Sequence, residues 1–184
     1  MSHKDLDLEL LNDCRKGNKR ALESLVRRYE KPLYNAAFRM LGSRDEAADV
    51  VQGTFLKAIE NLGQFNPKYK FFSWIYRIAI NESINQINRR KREAPLDEFG
   101  ASTARSPDEL ADSLRIGNLV QSRLLELQEE HRAVIVLRHF SGLSYRDMSE
   151  VLQIPEKTVK SRLFTARQQL KDRLKDSEIY ANDE

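Results

Sequence analysis

Apolar residues recur at three- and four-residue intervals along most of this chain, and short polar or glycine-bearing breaks separate the runs, the pattern of successive amphipathic helices. The first run extends from Leu6 to about Lys16. The second, Lys19 to Leu41, places Leu22, Leu25, Val26, Tyr29, Leu33, Ala37 and Met40 at helical spacing. Gly17 and Gly42 punctuate these runs. Ser43 then offers an N-cap followed by acids, which opens a third helix to Leu62 with Ala47, Val51, Phe55, Ala58 and Leu62 as its inward stripe. A loop, GQFNPKYK, leads into a fourth helix, FFSWIYRIAINESINQINRRKR, from Phe71 to Arg92. These four helices predict one N-terminal bundle over residues 1–92.

The fourth helix has two unlike faces. At 100° per residue Phe72, Ile75, Tyr76, Ala79, Ile80, Ile84 and Ile87 gather on one side, as a core face requires. The other side collects Trp74, Arg77, Asn81, Asn85, Asn88 and Arg92, interrupted only by Ile78. A ring in line with amides and guanidiniums suits unstacked bases. Two readings of Trp74 stand at this point: a stacking platform open to a base, or a ring packed beneath the preceding loop. The same polar residues argue against a bilayer span, since each is costly in hydrocarbon.

Between Glu93 and Asp112 the periodicity stops. Residues 93–112 hold Pro95 and Pro107 among small polar residues, and Glu93, Asp97, Glu98, Asp108, Glu109 and Asp112 face Arg105 alone, in a linker expected over 93–115. This predicts a flexible acidic linker, either a solvated tether or an acidic strand for a cationic channel in a partner. Periodicity resumes from Ile116 to Leu127 and from Glu129 to Phe140. Then comes LSYRDMSEVLQIPEKTVKSRLFTARQQLKDRL. Ser144 with Asp147 resembles a capping box, a short helix follows to Leu152, Gln153 and Ile154 turn the chain, and Pro155 opens the next helix. That is a helix-turn-helix. Its second helix packs through Val159, Leu163, Ala166 and Leu170, and presents Lys157, Lys160, Ser161, Phe164 and Gln168 outward, a face able to enter a major groove. A second domain over 116–176 and an acidic tail over 177–184 complete the expected layout.

Composition narrows the class. With 184 residues, seven glycines, five prolines and 32% charged residues, the chain reads as soluble and all-α, in two small helical domains. The net charge of +3 is too small to argue for a polyanion partner, so the clustering of the cations matters more than their sum. Cys14 is the single cysteine, which excludes an intrachain disulfide and a cysteine-rich zinc site. His3, His131 and His139 lack ligand partners at metal spacing, so no cofactor and no enzyme activity is expected. The N-terminus has no signal-like apolar run, and a cytoplasmic location without membrane insertion is expected.

Three motifs in order, DEAADVVQGTFLKA (45–58), FFSWIYRIAIN (71–81) and LSYRDMSEVLQIPEKTVKSRLFTAR (143–167), closely resemble the extracytoplasmic-function sigma factors, the small class of σ70-type initiation subunits. The resemblance covers nearly the whole chain. It implies a first domain that binds core RNA polymerase and the melted -10 element, a linker that threads the enzyme, and a second domain that reads the -35 element in duplex promoter DNA. Carried over by position, Asp49, Gln52 and Phe55 match the polymerase-binding helix. Trp74 and Asn81 match positions at the upstream fork and the flipped -10 base, with Arg77, Asn85, Asn88 and Arg92 along the same stripe. Phe65, Asn66, Lys68, Lys70 and Phe71 match the loop around that base. Lys157, Lys160, Ser161, Arg162, Phe164 and Thr165 match the -35 contacts. An anti-sigma factor is an implied partner.

Three residues depart from the family pattern: Gly53 replaces a usual glutamate, Gln153 a usual glycine, and Thr165 a frequent arginine. Glycine inside a helix costs roughly 1 kcal/mol relative to alanine. The Gln153 position often needs a left-handed backbone, so that turn should be strained or differently built. The competing reading is a free-standing helix-turn-helix regulator whose N-terminal bundle senses or dimerises. The Trp74-to-Arg92 stripe separates the two, because a duplex-binding regulator has no use for an unstacked-base platform.

Overall fold

The computed structural model describes residues 3–93 and 111–175, and side chains within 6–93 and 115–175. Among the described residues the chain is helical throughout: α1 (His3–Arg15), α2 (Lys19–Leu41), α3 (Arg44–Glu60), a short 3-10 turn (Leu62–Gln64), α4 (Phe71–Glu93), α5 (Ala111–Leu125), α6 (Glu129–Ile135), α7 (Tyr145–Leu152) and α8 (Glu156–Lys175). Helix α6 widens into a π-helical turn, Val136–Phe140, so the periodic run expected over 129–140 is one continuous element. Helix α5 starts at Ala111, five residues inside the expected linker. The linker acids from Asp97 to Glu109 and the 177–184 tail lie outside the described residues.

Local chemistry sets the boundaries. The Asn18 side chain accepts from the Arg20 and Ala21 amides at the start of α2. Gly42 ends that helix in the left-handed region (φ 72°), where its N–H donates to the Phe38 carbonyl, a glycine C-cap. Ser43 then caps α3 by accepting from the Glu46 amide, as the sequence predicts. Buried residues follow the expected stripes with small rotations. Helix α3 buries Ala47, Val50, Val51, Thr54 and Ala58, leaving Phe55 half-exposed. Helix α4 buries Phe71, Ser73, Ile75, Tyr76, Ala79, Ile80, Ser83 and Ile87, whereas Phe72 and Ile84 reach only its margin. Helix α1 is pinned to α2 by a buried network in which the Tyr29 hydroxyl donates to Asp7 (2.5 Å) and Arg28 pairs with the same carboxylate (3.2 Å). Burial, followed by the Asp7 contact, pushes the Tyr29 phenol far above its ordinary pKa.

The two modules are docked. Their buried apolar residues form one continuous core from Leu11 to Ala166. Arg132, itself buried, donates to the Leu124, Leu125 and Leu127 carbonyls of its own module and to the Met40 carbonyl at the end of α2. Burial lowers its pKa to about 10, which leaves it charged at neutral pH. Nearby, Arg39 donates to the Gln121 side chain at 2.8 Å, and the Leu125 side chain closes on Gly42. Such docking was outside the reach of periodicity, which reports a helix's inward face and not the identity of what covers it.

Candidate nucleic-acid interface

Helix α4 is presented by α2 and α3 with its amide stripe outward. Asn81, Asn85, Asn88 and Arg92 are exposed, while Trp74 and Arg77 are half-buried. The Trp74 indole rests on Phe65 (5.4 Å between centroids) and Phe71 (5.6 Å), and Phe71 in turn meets Tyr29 edge-on. The Trp74 ring is packed by the loop residue Phe65 and also lines a cavity of about 220 Å³. Phe65 and Phe71 were both expected in the loop around a base. Phe71, the first residue of α4 as its spacing predicts, is buried and supports the indole while meeting Tyr29 inside the bundle. Phe65 is also buried but does line the cavity.

The loop between them is held from both ends. Arg15 donates to the Leu62 and Phe65 carbonyls at 3.0 and 3.1 Å. The Asn66 side chain accepts from the Lys68 amide at 3.0 Å, an Asx-turn that explains why an asparagine precedes proline here. Asn66, Lys68 and Lys70 are exposed, but Lys70 is paired with Asp147 of α7 at 2.7 Å. Gln64 and Tyr69 were missed by the sequence reading and also line the cavity; an aromatic between two lysines, KYK, was the available signal.

The helix-turn-helix is built as its capping residues require. The Ser144 hydroxyl accepts from the Asp147 amide at 3.1 Å and contacts the Asp147 carboxylate at 2.6 Å. Gln153 adopts the left-handed region (φ 54°), the only non-glycine to do so among the described residues. Its side-chain amide donates to the Glu150 carbonyl at 2.6 Å, and the Ser149 hydroxyl to the Ile154 carbonyl at 2.5 Å, which offsets part of the backbone strain. On α8, Lys157, Lys160, Ser161, Phe164 and Thr165 are exposed on one side, with Phe164 67% exposed. Arg162 departs from expectation: it lies about 140° round the helix from Lys157 and is half-buried, so it flanks the reading face. Lys160 lies over the Tyr145 ring at 5.5 Å, and Arg167 donates to His139 at 3.1 Å. Burial, with Arg167 and Arg138 adding to it, lowers the His139 pKa and keeps it neutral at pH 7.

A third surface is an apolar groove of about 620 Å³ between α2 and α3, lined among others by Val26, Tyr34, Gln52, Phe55, Leu56 and Ile59. Leu56 and Ile59 are 55% and 44% exposed, unusual for their type. Asp49 is exposed on α3 outside the groove lining. Gly53 is not among the groove's lining residues, and a Cβ added there meets nothing within 4 Å.

Comparison with known proteins matches most of the chain to one family. Residues 25–93 match Sigma-70 region 2, and residues 117–170 match Sigma-70, region 4. The chain is 33% identical over 178 residues to the ECF RNA polymerase sigma factor SigW of Bacillus subtilis, covering 90% of this chain and 95% of that one. The chain belongs to the ECF sigma factor family. It is also 34% identical to the RNA polymerase sigma-H factor of Pseudomonas aeruginosa, covering 91% of this chain and 93% of that one. Among solved structures it resembles CnrH in complex with the cytosolic domain of CnrY (TM-score 0.72, 29% identity, 94% of this chain and 99% of that one). It likewise resembles the sigma factor RpoE in complex with the anti-sigma factor NepR from Bartonella quintana (TM-score 0.70, 28% identity, 85% and 98%).

In this sigma factor the cavity beside Trp74 is not formed by region 2 alone. Glu150 and Gln153, from the helix-turn-helix of region 4, close its remaining side. Among the described residues, no helix is long and apolar enough to cross a membrane.

Proposed function

We propose that this sigma factor binds core RNA polymerase through the α2–α3 groove, holds the melted -10 strand on the α4 stripe, and reads the -35 duplex with α8. The observation that carries the reading is the half-open indole of Trp74, set in a cavity and continued by Asn81, Asn85 and Asn88 along one helix face. An indole stacks any base, whereas amides discriminate base edges, so stacking and selection are divided between neighbouring residues. A duplex-only regulator needs neither. Gln52 and Phe55, with Leu56 and Ile59, supply the apolar contact for polymerase helices, and Asp49 a charged rim. Lys160, Ser161, Phe164 and Thr165 approach base edges, while Lys157 and Arg162 flank them toward phosphates.

The proposed layout is a region 2 domain over 1–92, a linker over 93–115, a region 4 domain over 116–176 and an acidic tail beyond. The protein acts by binding and positioning rather than by catalysis, in the cytoplasm where polymerase and promoter meet. An anti-sigma factor is a further expected partner: one solved relative above is a sigma factor captured with an anti-sigma factor.

The test is a gel shift with promoter duplex, with and without core polymerase. Tight, specific binding should require polymerase, because the basic surfaces are small and split between modules. Tight binding by the chain alone would instead favour a free-standing regulator. Within the complex, Lys160→Ala should lose about 1 to 3 kcal/mol of base discrimination at the -35 element if it reads a guanine edge. Equal loss on cognate and scrambled -35 duplexes would move Lys160 to the phosphate contacts.

A further inference from the structure

We infer that α1, which precedes the residues matched to Sigma-70 region 2, is a brace for the loop around the -10 base, with Arg15 as its positioning residue: the side chain holds Phe65 against Trp74, so the pocket is formed before the strand arrives. This rests on the assignment of the Phe65–Phe71 loop to that base.

Arg15 is the last residue of α1, and its guanidinium crosses to the loop, where Nη2 donates to the carbonyls of Leu62 at 3.0 Å and Phe65 at 3.1 Å. Those carbonyls flank the 3-10 turn, whose own closing bond from the Phe65 amide to the Leu62 carbonyl is long, at 3.3 Å. The turn therefore takes part of its shape from Arg15. The residue so held is also the one that packs the indole: Phe65 is buried and lies 5.4 Å from Trp74 and 5.7 Å from Phe71 between ring centroids.

The arm has a fixed base. Earlier in α1 the buried Asp7 accepts from the Tyr29 hydroxyl and pairs with Arg28, both on α2. After Arg15 the chain is closed by the Gly17 amide on the Cys14 carbonyl (2.9 Å) and the Asn18 amide on the Asp13 carbonyl (3.0 Å). Tyr29 in turn meets Phe71 edge-on, at 5.4 Å. Helix α1 thus supports both ends of the loop, directly at Phe65 and through Tyr29 at Phe71. A loop that must order itself as a base enters subtracts that ordering from the binding free energy, whereas one held beforehand does not. Without the brace, affinity for the strand falls with the fraction of loop in place.

The experiment uses holoenzyme and a promoter template melted over the -10 element, with single abasic sites stepped through the non-template strand. Arg15 is exposed, so Arg15→Ala should fold, which circular dichroism checks. It should weaken binding of the intact bubble about tenfold if the fraction of loop in place falls from near unity to about a tenth. At the abasic position that faces the loop this loss should disappear, because neither protein then has a base to hold. Arg15→Lys should recover part of the affinity, since an ammonium can still bond a carbonyl but lacks the planar fork. Acrylamide quenching of Trp74, the only tryptophan, should rise in the Arg15→Ala chain as Phe65 loosens. Unchanged bubble affinity in folded Arg15→Ala overturns the brace, whatever the quenching shows. An equal loss at every abasic position also overturns it, because Arg15 then acts on the fold and not on the pocket. Lys68→Ala with Tyr69→Ala judges the loop assignment separately. If that pair loses no affinity on any template, the assignment falls and the brace with it; a loss there beside an unchanged Arg15→Ala removes the brace alone.

Discussion

Arg132 is the residue on which the docked form most depends, and Arg132→Met tests that dependence. Its guanidinium reaches four main-chain carbonyls, those of Leu124 (3.1 Å), Leu127 (2.9 Å), Leu125 and Met40, the last belonging to the other module. A hydrogen bond to a charged group contributes about 1.5 to 3 kcal/mol, so the gross loss is several such terms. Methionine recovers part of it, because burying the cation itself costs several kcal/mol and the thioether fills the same channel. Each buried carbonyl left unpaired costs about 1 to 3 kcal/mol, so after that recovery the net destabilisation is about 3 to 5 kcal/mol. With a urea slope of about 2 kcal/mol per molar, the unfolding midpoint should fall by roughly 2 M. Arg132→Lys should lose at least half as much, since one ammonium cannot serve carbonyls that diverge from a planar fork. The measurement is urea unfolding followed by circular dichroism and by Trp74 emission together. A midpoint within about 0.3 M of the parent for Arg132→Met would refute the reasoning.

Trp74→Ala should cost about 1 to 2 kcal/mol in stability, from its contacts with Phe65 and Phe71, and about 1 to 3 kcal/mol more in binding of a bubble template. Thermal unfolding beside bubble-template transcription separates the two, and a loss of all activities in proportion to stability would remove the stacking role. The ion pairs between the modules, Lys70 with Asp147 and Lys91 with Glu129, should respond to acid. The hydrogen bond from Lys91 holds Glu129 below its ordinary pKa of 4.5, and at Asp147 burial acts upward but bonds from Lys70 and Ser144 outweigh it and hold it below 3.8. Depressed carboxylates contribute stability above their ordinary values that is lost as pH falls through the folded ones, so docking should weaken below about pH 4 and be flat from pH 6 to 8. Small-angle scattering across that range, with Glu129→Gln showing a reduced response, checks this. The two glycines at helix positions 42 and 53 should behave oppositely: Gly53→Ala should stabilise by about 1 kcal/mol, while Gly42→Ala should destabilise, being strained at φ 72° and pressed against Leu125. Thermal melts of both decide it.

What the sequence determined by itself is what depends on residues a few positions apart. The existence and order of the helices, the Ser43 and Ser144 caps and the outward faces of α4 and α8 follow from spacing along one helix or from a side chain's reach to its own backbone, whereas α5 begins earlier and α3 ends earlier than periodicity puts them. The order of three motifs around an acidic segment was likewise enough to indicate the family. Tertiary structure decided what lies opposite each face. Phe71 packs on Tyr29 and Arg162 is half-buried about 140° round α8 from Lys157, although their match to the family motifs had set both among the DNA contacts. The groove needed Leu56 and Ile59, which a single-stripe reading of α3 left out, since two helices must meet before a groove has a second wall. The bonds of Arg132 and the approach of Glu150 to Trp74 join residues far apart in sequence, so no local spacing encodes them. Such contacts arise from the loop-closure and burial balance of the whole chain, which a periodic pattern does not contain.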